Sequence, residues 1–71
     1  SAKPRRSLSE QMGLVLGRLT KDWRALDNLI EEPFTRSEVV YYFLALLELI
    51  RLKQLRCVQS EAFGEIEINR V

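Results

Sequence analysis

Few side chains in this sequence can do chemistry. It holds no histidine and a single cysteine, Cys57. Catalysis that relies on an imidazole base is therefore excluded. An internal disulfide is impossible, and a zinc site lacks its usual Cys and His donors. Asp22, Asp27, Glu31 and Glu32 lie close in sequence and offer oxygen ligands to a hard cation. Their spacing is not that of a calcium loop, and no nucleophile stands beside a base. Cys57 sits between Arg56 and Val58 in an alternating run, the setting of an inert, half-buried strand thiol. The expectation is a chain that is not an enzyme, with no catalytic residue, no metal and no cofactor.

What remains is surface that can bind. The 71 residues carry 11 Lys plus Arg against 10 Asp plus Glu, a net charge of +1. A chain of this size buries only about 60% of the surface its unfolded form exposes, so its core is small. Lys3, Arg5 and Arg6 all fall within residues 1–7, leaving 8 basic and 10 acidic side chains in the rest. Residues 1–7 read as a basic arm or linker end, and residues 8–71 as one faintly acidic domain. The arm is either a phosphate-contacting tail or a solvated end. Ser1 as first residue, no apolar leader and no run of 18 apolar residues suggest a soluble, intracellular domain cut from a longer protein.

The elements that must present the surface follow from periodicity and caps. Ser7 and Glu10 form a capping box, and Leu8, Met12, Val15, Leu16 and Leu19 recur at helical spacing. Gly13 and Gly17, four apart on the flank of that stripe, imply close approach of another element. A short extended stretch at residues 22–24 lets Trp23 point into the core. Residues 25–30 read as a short helix with Leu26, Leu29 and Ile30 inward, stopped by Glu31-Glu32-Pro33.

Thr35 and Glu38 make a second capping box, and VVYYFLALLELIRLKQ follows. At about 100° per residue, Phe43, Leu46, Leu47 and Ile50 cluster at the centre of an apolar arc of roughly 220°, which Val40 and Leu44 extend on one side and Tyr42 and Leu49 on the other. The four central residues, with Val39 and Val40, are the expected core of the helix. The period then switches to two in LRCVQS and again in EIEIN, with the isoleucines inward and a loop between. Gly64 is available in that loop for a positive φ. Arg56 falls opposite Glu67 as a charge pair, and the final strand lies at an edge. The fold class expected is α+β: a winged helix of three helices, a short first strand and a C-terminal β-hairpin wing.

The stretch FTRSEVVYYFLALLELIRLKQLRCVQSEAFGEIEI closely resembles the C-terminal domain of the bacterial kleisin family, segregation and condensation protein A. The matching features are Glu38, Val39 and Val40, then FLALLEL over residues 43–49. Arg51 and Lys53 follow at the helix end, then Gln59 late in the strand and Phe63 in the loop. Trp23 matches an aromatic upstream, and the likeness covers residues 8–70. Cys57 and the Tyr41-Tyr42 pair depart from the usual pattern. The resemblance implies a non-enzymatic domain that docks on the cap side of an SMC ATPase head. In the full-length protein it implies a further partner, segregation and condensation protein B. It also implies a cytoplasmic, nucleoid-associated location, no membrane contact, and DNA reached only through the complex.

The residues expected to touch the partner are Tyr41, Tyr42, Ala45, Leu49 and Leu52 on the helix flanks, and Phe63 in the loop. Each helix residue has an alternative role in packing within the domain. Phe63 either folds back on Ile66 or plugs a partner pocket. The rival function is a DNA-binding winged-helix regulator, which needs Lys, Arg, Asn or Gln on the exposed helix and in the wing. The sequence offers Glu38 and Glu48 there, with Glu61 and Glu65 in the loop.

Overall fold

Two capping boxes set where the helices begin. The Glu10 N–H donates to Ser7 Oγ at 3.1 Å, and the Ser7 N–H donates to Glu10 Oε1 at 3.1 Å. Thr35 and Glu38 repeat the arrangement, both bonds at 3.2 Å. Each box satisfies two amides that a helix start leaves open. Helix α1 therefore runs Leu8–Arg18 and α2 runs Arg36–Arg51 in this computed structural model, which describes residues 6–30 and 34–71. Lys3, Arg5 and most of the expected basic arm lie outside the described residues, as does the Glu31-Glu32-Pro33 stop.

Between the helices lie a two-residue strand, β1 (Arg24–Ala25), and one 3-10 turn at Leu26–Asn28. The expected three helices are thus corrected to two α-helices and a turn among the described residues. Ala25 at the head of this segment has no side-chain oxygen to cap it. So short an uncapped segment cannot repay the cost of helix nucleation. Its inward residues are nonetheless as expected: Leu26 and Leu29 are buried and Ile30 packs against the core.

Strands β2 (Leu55–Gln59) and β3 (Ile66–Arg70) form the hairpin. The sheet is antiparallel with order β1-β3-β2, so the last strand is the central one and β2 is an edge. The expected edge position of the last strand is corrected. β3 also ties down the α1–β1 connection. The Arg70 N–H donates to the Thr20 carbonyl at 2.7 Å, and Asn69 Nδ2 to the Lys21 carbonyl at 2.8 Å. The register pairs Arg56 with Asn69 and Val58 with Glu67, so the Arg56–Glu67 pair does not form. Ile68 is buried, but Ile66 is 36% exposed and does not join the core.

α2 ends in a Schellman arrangement. The Gln54 N–H bonds the Leu49 carbonyl and the Lys53 N–H bonds the Ile50 carbonyl, both at 2.9 Å. Lys53 takes the left-handed position at φ 60°, where glycine is usual. Val15, Leu19, Leu26, Leu29, Tyr42, Leu46, Leu49, Leu55 and Ile68 make the core, with Met12, Leu16, Ile30 and Ile50 against it. Of the α1 stripe read from spacing, Val15 and Leu19 lie in this core and Met12 and Leu16 pack against it, while Leu8 stays half-buried outside it. Gly13 and Gly17 are exposed, and a Cβ added at either meets nothing within 4 Å. They mark no close approach, contrary to expectation. Trp23 is 45% exposed and outside the core, contrary to expectation, and Leu26 is the buried residue of this segment.

Candidate partner-docking surface

α2 carries two apolar stripes of identical spacing. Tyr42, Ala45, Leu46 and Leu49 follow i, i+3, i+4, i+7 and are buried. Val40, Phe43, Leu44 and Leu47 follow the same rule two residues earlier, and all four are exposed. A two-residue offset is about 200° of helix rotation, so the stripes face opposite ways. One packs toward α1 and the sheet, and the other faces solvent. Leu47 is the most open of the four at 63%.

The assignment of faces is the main correction to the sequence reading. Phe43, Leu47 and Val40 belong to the outer face and not to the core. Leu46 is core, Ile50 packs against it, and Val39 is half-buried. Of the expected partner residues, Tyr42, Ala45 and Leu49 are buried and offer no surface. Tyr41 is half-buried, and Leu52 at the helix end and Phe63 in the loop are exposed. The physical reason is Ala45, which is 0% exposed. A small residue at the centre of a helix face lets a neighbour come close, and close packing outweighs the larger apolar area of Phe43 and Leu47. Two interleaved stripes were the available sign that one of them is spare.

Charge sits at the borders of the outer stripe. Arg36 and Arg51 lie at the two ends of the helix. Arg51 Nε donates to Glu48 Oε2 at 2.9 Å, and Nη2 donates to Oε1 of the same carboxylate. The hydrogen bonds from Arg51 hold the Glu48 carboxyl below its usual range, and Glu48 in turn raises the Arg51 guanidinium. At the start of α1, the Ser7 backbone N–H and then its hydroxyl hold Glu10 low. Both carboxylates serve the helices they sit on.

Asp22 and Asp27 are exposed, and Glu31 and Glu32 lie outside the described residues. Among the described residues, no three acidic or cysteine side chains gather as metal ligands. Cys57 is exposed, not half-buried as expected. No described helix is long and apolar enough to cross a membrane.

The chain is a small α+β domain with one apolar face of α2 exposed to solvent. The chain belongs to the family described as segregation and condensation protein ScpA, whose model matches residues 5–71. Relatives named segregation and condensation protein A agree. That of Listeria welshimeri is 40% identical over 65 residues, covering 87% of this chain and 26% of the relative. That of Streptococcus mitis is 40% identical over 60 residues, covering 83% and 25%. That of Clostridium acetobutylicum is 50% identical over 44 residues, covering 62% and 18%. The chain thus spans about a quarter or less of the length of these relatives.

Proposed function

We propose that this chain is the C-terminal winged-helix domain of a kleisin subunit and docks on the ATPase head of an SMC protein. The complex it serves segregates and condenses chromosomes. The domain itself performs no catalysis, and ATP hydrolysis belongs to the SMC partner. The rest of the full-length protein engages segregation and condensation protein B. The complex acts at the nucleoid in the cytoplasm.

The observation that carries this reading is the outer stripe of α2. In a DNA-reading winged helix the corresponding helix face presents donors and cations to phosphates and base edges. Here Val40, Phe43, Leu44 and Leu47 fill it, and none has a polar side-chain atom. Desolvating such a face favours association with another apolar surface. Tyr41 and Leu52 border the stripe and extend the proposed contact.

The test is titration of the chain with an isolated SMC head and, separately, with duplex DNA at low salt. Head binding is expected, together with its loss in Leu47→Arg while circular dichroism stays unchanged. Tight, salt-sensitive DNA binding without head binding overturns the reading in favour of a DNA-binding regulator.

A further inference from the structure

We propose that the hairpin turn is a second, separate anchor. In this proposal Phe63 is held out to fill an apolar pocket, rimmed by basic side chains, on the partner protein. The inference rests on the SMC-head reading above and adds a contact remote from the α2 stripe in sequence.

Phe63 does nothing for the fold that its exposure reveals. Its relative exposure is 103%, so the ring packs on no part of the domain, including Ile66. Its backbone is also costly. Phe63 sits at φ 62°, in the left-handed region that a residue with a Cβ avoids. A ring as solvated in the folded chain as in the unfolded one contributes nothing to stability, and the left-handed backbone beneath it subtracts from it.

The turn is nevertheless firmly built. The Gly64 N–H donates to the Glu61 carbonyl at 2.9 Å, closing a four-residue turn with Phe63 third. A positive φ at that third position is what glycine normally supplies. The chain has a glycine, but one residue later, and Gly64 does not have a positive φ. The sequence expectation for Gly64 is corrected here. Its real constraint is space, since a Cβ there would lie 2.9 Å from the Glu61 carbonyl oxygen. Gln59 Nε2 then donates to the Gly64 carbonyl at 2.8 Å and braces the base of the turn. These bonds over-determine the turn and force Phe63, rather than a glycine, to its tip.

Charge selects the kind of partner. From residue 57 to residue 69 there are three acids, Glu61, Glu65 and Glu67, and no base. Glu61 opens the turn and Glu65 follows it. Carboxylates here oppose approach to DNA phosphates, which disfavours an aromatic wedge between base steps. They equally oppose an anionic lipid surface. They suit a protein pocket edged with Lys or Arg. Burying the ring there removes on the order of 150–250 Å² of apolar surface, the size of a typical interface hot spot.

The test compares Phe63→Gly and Phe63→Ala with the unaltered chain. Phe63→Gly should melt at the same or a higher temperature, because glycine accepts the φ. Both variants should bind the SMC head at least about tenfold more weakly. The double change Glu61→Gln, Glu65→Gln should flatten the salt dependence of head binding. Unchanged head affinity in Phe63→Gly overturns this inference alone, while failure of the unaltered chain to bind overturns the docking reading with it. A marked loss of stability in Phe63→Gly shows the ring to be a packing residue and overturns the anchor. A ring-dependent affinity for duplex DNA or for phosphatidylserine vesicles also overturns it.

Discussion

Leu47 and Leu49 are the same residue type, two positions apart on one helix, and they should respond oppositely to truncation. Leu49 is 1% exposed and belongs to the core that Val15 of α1 and Leu19 at its C-cap share with Leu55 and Ile68 of the sheet. Its replacement by Ala should cost about 2.7–5 kcal/mol, the range for buried leucines that leave a cavity. A 71-residue domain has a total stability of about 4–11 kcal/mol at 0.05–0.15 kcal/mol per residue. Leu49→Ala therefore removes a quarter or more of it. Leu47 is 63% exposed, so little more than a third of its side chain leaves water on folding. With about 1.5–3 kcal/mol for a fully buried leucine, its truncation forfeits roughly 0.5–1 kcal/mol. Alanine's higher helix propensity returns a few tenths of that. Urea denaturation followed by circular dichroism measures both, and equal m-values make the midpoints comparable. The binding order should be the reverse, with Leu47→Ala the weaker partner for the SMC head when both are folded. If Leu47→Ala destabilises as much as Leu49→Ala, the assignment of inner and outer faces to α2 is refuted.

Three further outcomes follow from the fold. Gly13→Ala and Gly17→Ala should each stabilise the chain by about 1 kcal/mol, because the added Cβ meets open space; thermal melting of the double variant should rise by roughly 8–16 °C. Lys53→Gly should stabilise by up to about 1 kcal/mol by relieving the left-handed backbone at the α2 terminus, read by the same melting assay. Stability should fall in acid: the carboxyls of Glu10 and Glu48 are held below the ordinary value of 4.5, so their contribution is complete above it and disappears as the pH drops through their folded values. Glu10→Gln should blunt that decline in a pH series of urea melts.

Local signals were legible in the sequence, and long-range ones were not. Both capping boxes, the α1 stripe and the hairpin rest on residues within four positions of one another or on simple alternation. The bonds of both boxes form as the spacing requires, and the hairpin forms with a register that sets Val58, not Arg56, opposite Glu67. The inner face of α2 was not legible, because two stripes obey one period and only the packing around Ala45 chooses between them. Strand order depends on β1 meeting β3 across more than forty residues, which no local pattern records. The turn was misread by one position, since the bond between Glu61 and Gly64 and the crowding at Gly64 decide which residue takes the positive φ. For the docking surface the consequence was uneven. Leu52 and Phe63 are exposed where contact was expected, Tyr42, Ala45 and Leu49 are buried, and the four residues of the outer stripe were counted as core or its border.

The central place of the last strand also orders the birth of this domain. β1 and β2 do not pair with each other; each needs β3. The Asn69 side chain reaches back 48 residues to Lys21, and that of Arg70 reaches 54 residues to Leu16. Until residues 66–70 have been synthesised, the two helices have no sheet to close their core. A nascent or truncated chain ending before that strand therefore lacks the sheet that completes the cover of the inner α2 stripe, leaving α1 against it, a state open to chaperones and proteases. Only the finished domain covers one stripe fully and leaves the other exposed, so the surface proposed for docking is set apart from the core only when the fold is complete.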